Sequence, residues 1–171
     1  LHDICVRIGD CYFKLMNYKF AVEFYDQAIQ LDGFQGDYAV YKKSTALFLL
    51  EDYNAAIESF NYLINNFEQS NYMDDAIYDL GNVHILAKNY DFAINTFLII
   101  TEDFPSSVFY SSAYLKIGLV YYMQQKDLDA IDVFKKIVLQ FSSTNVAQEA
   151  LNMIKNIYSE NGEVSMFLDF I

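Results

Sequence analysis

The sequence predicts an all-α chain, a solenoid built from antiparallel helix pairs. Three observations lead there. An alanine followed by a β-branched residue returns at Ala21, Ala56, Ala93 and Ala130, spaced 35, 37 and 37 residues apart. The apolar positions around each alanine follow helical rather than strand spacing. The 171 residues include one Pro and six Gly, too few breakers for a turn-rich β-fold but compatible with long helices.

Within each copy the second helix is the plainest element. Tyr18, Tyr53 and Tyr90 stand three residues before the alanine, and Asp127 takes that place in the fourth copy. Four residues after it comes a ring, Tyr25, Phe60, Phe97 or Phe134, and three further on Ala28, Leu63, Ile100 or Ile137. These columns share one helical face. The first helix carries a small residue twelve before the alanine, Gly9, Ser44, Gly81 or Gly118, followed three later by Tyr12, Leu47, His84 or Tyr121. A small residue where two helices cross lets the backbones approach, and a ring fills the space beside it. Links as short as Met16-Asn17, Glu51-Asp52 and Lys88-Asn89 force each pair to be antiparallel.

Boundaries between copies are marked by stop and cap chemistry at Asp32-Gly33, Ser70-Asn71, Phe104-Pro105-Ser106-Ser107 and Phe141-Ser142-Ser143-Thr144. The repeats are expected over about 2–36, 37–70, 71–106 and 107–144, all in a single domain spanning 1–171. Ser106 or Ser107 is a candidate cap for one first helix, and Ser142 to Thr144 for another. The extra residues of the last copies should lengthen the helices by part of a turn rather than make long loops. Residues 145–171 read as a cap. Val146 to Tyr158 forms a fifth first helix with Lys155 in the small column, Asn161-Gly162 breaks it, and Val164, Phe167, Leu168 and Ile171 line a short amphipathic end. Such a segment would cover the edge that a stack of repeats leaves open.

Taken as a set, these columns resemble the tetratricopeptide repeat. Its aliphatic-Gly pair is matched by Ile8-Gly9, Leu80-Gly81 and Ile117-Gly118, and its terminal Pro by Pro105; Lys43-Ser44 departs from it. The resemblance implies a right-handed superhelix whose first helices line a concave groove. It implies a non-catalytic scaffold for protein-protein interaction, binding a peptide or partner protein there. The long period and the Phe-Pro-Ser-Ser boundary resemble the subgroup found in bacterial envelope proteins, which implies a periplasmic or outer-membrane-associated setting.

Three positions before, one after and four after each small residue, the first helices carry Val6, Asp10 and Phe13; Tyr41, Thr45 and Phe48; Tyr78, Asn82 and Ile85; Leu115, Leu119 and Tyr122; then Asn152 and Asn156. A solvated face is ordinarily rich in Glu and Lys; this one is aromatic, aliphatic and amide, suited to an extended peptide or a partner helix. The alternative is that these side chains pack against neighbouring second helices, or against a further helix in the groove. Self-association into a homo-oligomer is one version of binding, and a structural spacer or an arm of a larger protein is the other role left open. Arg7, Lys42 and Lys116 recur two before the small column and suggest a basic ladder for a carboxylate. Asp79 breaks that ladder, so a scattered solvated face is the other reading.

Several chemistries are disfavoured. A net charge of −12 with eleven scattered Lys and Arg repels a phosphate backbone, so no nucleic acid is expected. No apolar run approaches the ~18 residues of a membrane span. Cys5 and Cys11, six apart, would lie ~9 Å apart along one helix, too far for a disulfide; both read as small buried or half-buried thiols. His84 sits in a core column and reads as a hydrogen-bonded structural histidine, while His2 has no partner in sequence. Asp74-Asp75 and Glu102-Asp103 lie near helix ends, where the helix dipole accounts for Asp74-Asp75. No His-x-x-x-His, Cys-x-x-Cys or Gly-rich phosphate loop occurs, so no catalytic residue, metal or cofactor is expected. The start at Leu1, inside an apparent helix, reads as an excised or processed boundary.

Overall fold

The computed structural model describes residues 1–31 and 36–171 and holds ten helices among them. These are α1 (His2–Lys14), α2 (Tyr18–Gln30), α3 (Gly36–Leu49), α4 (Tyr53–Asn66), α5 (Met73–Leu86), α6 (Tyr90–Asp103), α7 (Tyr110–Met123), α8 (Asp127–Gln140), α9 (Asn145–Glu160) and α10 (Val164–Phe170). The Asp32-Gly33 boundary lies outside the described residues. The chain divides into two compact units, Leu1–Asn89 and Tyr90–Ile171.

In the first unit each of α1 to α4 packs on the helix that follows it. The reason is the column chemistry. Tyr25 and Phe60 are fully buried, and each ring is shared between its own pair and the next first helix. Tyr25 clusters with Ala21 and with Ala46 of α3; Phe60 clusters with Ala76, Leu80 and Val83 of α5. Gly9 is required by this arrangement. A Cβ there would stand 2.7 Å from Cε1 of Tyr25, closer than carbon atoms pack. Ser44, which replaces glycine in the second copy, fits because its hydroxyl is satisfied. It donates to Val40 O at 2.8 Å and lies 2.7 Å from Ser59 Oγ.

The second unit repeats the scheme. Packing runs from α6 to α7, α8, α9 and α10. Phe134 is fully buried among Ile131, Ile137, Ala150 and Ile154, and its ring lies so close to Gly118 that a Cβ there would collide with it. Ile137, Ile154 and Ile157, each without exposed surface, complete this core.

The links within pairs carry a feature absent from the sequence reading. Met16, Glu51, Lys88 and Gln125 all have positive φ, between 57° and 60°. Each closes the same turn: the Met16 N–H donates to Phe13 O at 2.9 Å and the Asn17 N–H to Tyr12 O at 2.9 Å, with matching bonds at the other three links. This crossed pair of bonds is the Schellman ending, built four times on a residue other than glycine. A fifth copy follows α9, where Gly162 has φ 74° and the Glu163 N–H donates to Tyr158 O at 2.7 Å. Asn17 and Asp52 then accept from Phe20 and Ala55 N–H groups and open the second helices.

Three expectations are corrected. Ser106 and Ser107 do not cap α7; Ser107 Oγ accepts from the Phe109 N–H at 3.1 Å in a turn that ends before the helix begins at Tyr110. Thr144, in contrast, caps α9 by accepting from Ala147 N. The lengthening of the later helices is met only in part, since α4, α6 and α8 have 14 residues against 13 in α2 and the rest of the added length lies in the short connections over 67–72 and 104–109. At the C-terminus only Phe167 and Phe170 pack on the neighbouring core. Val164, Leu168 and Ile171 are exposed, so α10 buries one edge and presents another.

Candidate protein-interaction groove

In the first unit the face of α1, α3 and the approach to α5 forms a polar recess of about 650 Å³, lined by Asp3, Val6, Arg7, Asp10, Asp37, Tyr38, Asn71 and Tyr72. Tyrosine hydroxyls and carboxylates fix its walls. The Tyr25 hydroxyl donates to Asp10 Oδ1 at 2.7 Å and the Tyr38 hydroxyl donates to the same oxygen at 2.9 Å. Asp10 thus ties together α1, α2 and α3. Burial and the Asp10 carboxylate push both phenols above their ordinary range, so both remain donors. Asp37 Oδ2 accepts from Ser70 Oγ at 2.8 Å, holding the start of α3 to the connection before α5.

Aromatic rings continue the wall. Tyr72 stacks on Tyr41, centroids 5.2 Å apart and planes 10° apart, and tilts against Tyr38 at 5.6 Å. The Tyr41 hydroxyl donates to Asp79 Oδ2 at 3.1 Å. Burial, aided by Asp75, pushes the Asp79 carboxyl up to about 6, although the Tyr41 bond works the other way. Burial and the neighbouring Asp74 also push Asp75 up.

The expected groove positions fall into three groups. Val6 and Leu115 are 4% and 7% exposed, so neither is the open surface position expected, although Val6 still reaches the wall of the recess. Val6 packs with Cys5, Ala28 and Ala39, and Leu115 belongs to the core around Phe134; their helices turn these positions toward the neighbouring helix. Asp10, Phe13, Tyr41, Thr45, Phe48, Tyr78, Asn82 and Ile85 are half-buried in the first unit, as are Leu119 and Tyr122 in the second, while Asn152 and Asn156 are exposed. Thr45 donates to Tyr41 O and Asn82 to Tyr78 O, so each spends a donor on its own helix. In the second unit the Tyr122 hydroxyl donates to the Glu160 carboxylate at 2.9 Å, and Gln148 donates to Asn152 Oδ1 at 3.4 Å.

The basic ladder is not assembled. The Lys42 ammonium sits 3.7 Å from the centroid of the Phe13 ring, a cation–π contact, and burial pulls its pKa down. Arg7 alone of the three reaches the recess. Residues that the sequence reading missed are Asp37, Tyr38, Asn71 and Tyr72. They precede or open a first helix, where the stop and cap signals at Ser70-Asn71 read as a mere boundary.

A second recess of about 590 Å³ lies among α2, α3 and α4, with Val22, Ile29, Val40 and Leu47 as its floor. Its rim holds the Lys43–Asp26 ion pair at 2.6 Å. Among the described residues no group of three or more His, Cys, Asp or Glu could hold a metal ion, and no helix is long and apolar enough to cross a membrane. Cys5 is buried but Cys11 is exposed, and both thiols are free. His84 is buried, and burial pulls its imidazole pKa down. His2 is also buried, with Nδ1 3.3 Å from Asp3 Oδ1.

Comparison with known proteins fits this architecture. Two tetratricopeptide-repeat models match residues 2–33 and 112–144. No curated protein sequence matches the chain. Among solved structures, a crystal structure of MamA protein superposes with a TM-score of 0.78 at 21% identity, covering 99% of this chain and 87% of that one. A MamA fragment from Desulfovibrio magneticus RS-1 gives 0.76 at 16% identity, covering 99% and 90%. A tetratricopeptide repeat protein from Parabacteroides merdae ATCC 43184 gives 0.78 at 12% identity, covering 99% of this chain and 64% of that one. The chain therefore carries tetratricopeptide repeats, and its fold is the all-α solenoid of tetratricopeptide-repeat proteins.

Proposed function

We propose that the chain is a non-catalytic scaffold that receives a peptide or partner protein along its first helices, with the recess of the first unit as the principal contact. One observation carries this: Tyr38, Tyr41 and Tyr72 form a continuous aromatic wall, fixed by hydrogen bonds and stacking, beside polar groups that reach an open recess. Rigid aromatic anchors beside fixed hydrogen-bonding groups are what a protein contact needs, because little conformational entropy is lost on binding. Repeat folds of this kind commonly serve as interaction scaffolds, and no catalytic step is assigned to any residue. A bacterial envelope setting is part of the same proposal and rests on the long period and the Phe104 to Ser107 boundary.

The test is a peptide-library selection on the immobilised chain, followed by titration of a selected peptide against variants. Tyr72→Ala should weaken binding at least about tenfold, as loss of a buried aromatic anchor does. Tyr62→Ala, at the second recess, should leave it unchanged. Equal affinity for both variants and the parent chain would remove the recess from the interface.

A further inference from the structure

The recess of the first unit is built to accept hydrogen bonds rather than to donate them. Tyr25 and Tyr38 both spend their hydroxyl protons on Asp10 Oδ1. Ser70 spends its own on Asp37 Oδ2 and accepts from the Tyr72 N–H. The Tyr38 N–H donates to Asp37 Oδ1 at 2.9 Å. What these groups leave for a ligand is lone pairs. Asn71 and the Tyr72 hydroxyl can act either way. Among the described lining residues, Arg7 alone carries a side chain that only donates.

These bonds orient the carboxylates without neutralising them, because phenols, a serine and a backbone amide are neutral donors. Asp10 Oδ2 takes no hydrogen bond among the described residues. Arg7 stands four residues after Asp3 and three before Asp10, yet pairs with neither among the described residues. The remaining cations of α1 and α3 are engaged elsewhere. Lys42 rests on the Phe13 ring, where Lys14 opposes its charge, and Lys43 is paired with Asp26. On the other side of the recess, residues 66–75 hold Glu68, Asp74 and Asp75 and no Lys or Arg; this stretch supplies Asn71 and Tyr72 to the lining.

Shape points the same way. Tyr38 spans the two carboxylates, its N–H at Asp37 and its hydroxyl at Asp10, and Tyr72 tilts against it at 5.6 Å. Flat rings beside carboxylates suit a planar cation that stacks and donates at once, and an arginine guanidinium offers five donors and no acceptor. A metal ion is not served, since among the described residues no three such groups converge on one point. The volume of about 650 Å³ also leaves room for residues flanking the arginine.

We infer that the partner of this recess is a basic segment, whose arginine guanidinium bonds to Asp10 and Asp37 and lies against the Tyr38 and Tyr72 rings. This rests on the scaffold reading above and names the chemistry of its partner. Arg7 then acts as a competing cation at the rim, and an acidic segment is the partner that the lining disfavours.

The probe is a library of capped random peptides of about twelve residues, long enough for an extended contact, selected on the full chain and titrated by calorimetry. Peptides that lose affinity with Tyr72→Ala are expected to share an arginine. Exchanging that arginine for citrulline, its neutral planar analogue, should weaken binding at least about tenfold, as should Asp10→Asn, whose Oδ1 still accepts from both phenols. Folding is checked by circular dichroism, and should Asp10→Asn unfold, exposed Asp3→Asn gives the same direction with a smaller loss. Arg7→Gln should strengthen binding about two- to fivefold, as removal of an exposed like charge does. Tyr72-dependent peptides without Arg or Lys, or weaker binding to Arg7→Gln, overturn this inference and leave the scaffold reading standing. A library that yields no Tyr72-dependent peptide overturns both.

Discussion

Replacing Asp79 with Asn isolates one carboxylate held at a cost. Asp79 is mostly buried on α5, and its carboxyl is pushed from 3.8 up to about 6. Because the folded value lies above the unfolded one, its stabilising contribution is complete below about pH 3.8 and is lost as pH rises through 6. At roughly 1.4 kcal/mol per pH unit, the full loss is about 3 kcal/mol, of which about 1.5 kcal/mol falls above pH 5. Asn cannot ionise, and its Oδ1 can still accept from the Tyr41 hydroxyl. Urea unfolding of both chains at pH 5 and 7.5 reads the difference, and pH 5 stays clear of the isoelectric point near 4.3. The advantage of Asp79→Asn should grow by about 1 to 2 kcal/mol between those pH values. Repulsion from the net charge of −12 changes both chains nearly alike and largely cancels. A difference that moves by less than about 0.5 kcal/mol, the usual spread for an uncoupled surface change, would refute the reasoning.

Other expectations follow from the packing. Gly118→Ala drives a Cβ into the Phe134 ring and should cost about 1 to 3 kcal/mol by thermal or urea unfolding, despite the better helix propensity of Ala. Gln125→Gly relieves a positive φ of 60° and should gain roughly 1 kcal/mol; a loss in the same assay would mean the turn is not strained. Tyr25→Phe removes the donor to Asp10 while Tyr38 keeps its own bond, so a cost of about 1 kcal/mol is expected. Thiol titration of the native chain should modify Cys11 promptly and Cys5 only on unfolding. Equal rates would contradict their different burial.

Much of the helical scheme was legible because the residues that shape it recur. Ala, ring and small columns meet at helix crossings, and a crossing tolerates few side chains, so Tyr25, Phe60 and Phe134 could be placed in cores from spacing alone. The positive-φ turns were not legible. Glycine ordinarily announces that conformation, and Met16, Glu51, Lys88 and Gln125 give no such sign. The candidate groove was legible only in part. Counting along a helix assigns a face, but it cannot say which neighbour covers that face, and this is why Val6 and Leu115 proved to be core residues. Tyr38 and Tyr72 escaped notice for a different reason. Their place in the wall depends on where a connection returns across two repeats, and that is set by non-local packing.

The shared rings have a mechanical corollary. Phe134 presses on Gly118 in its own pair and on Ala150 and Ile154 in the pair that follows. One aromatic side chain thus acts as a common hinge pin for α7 and α9, two helices with little direct contact. Loosening it releases both at once, so amide exchange in α7 and α9 should accelerate together when Phe134 is trimmed. Each pin makes neighbouring pairs melt as a linked block, although every segment is short and locally wound.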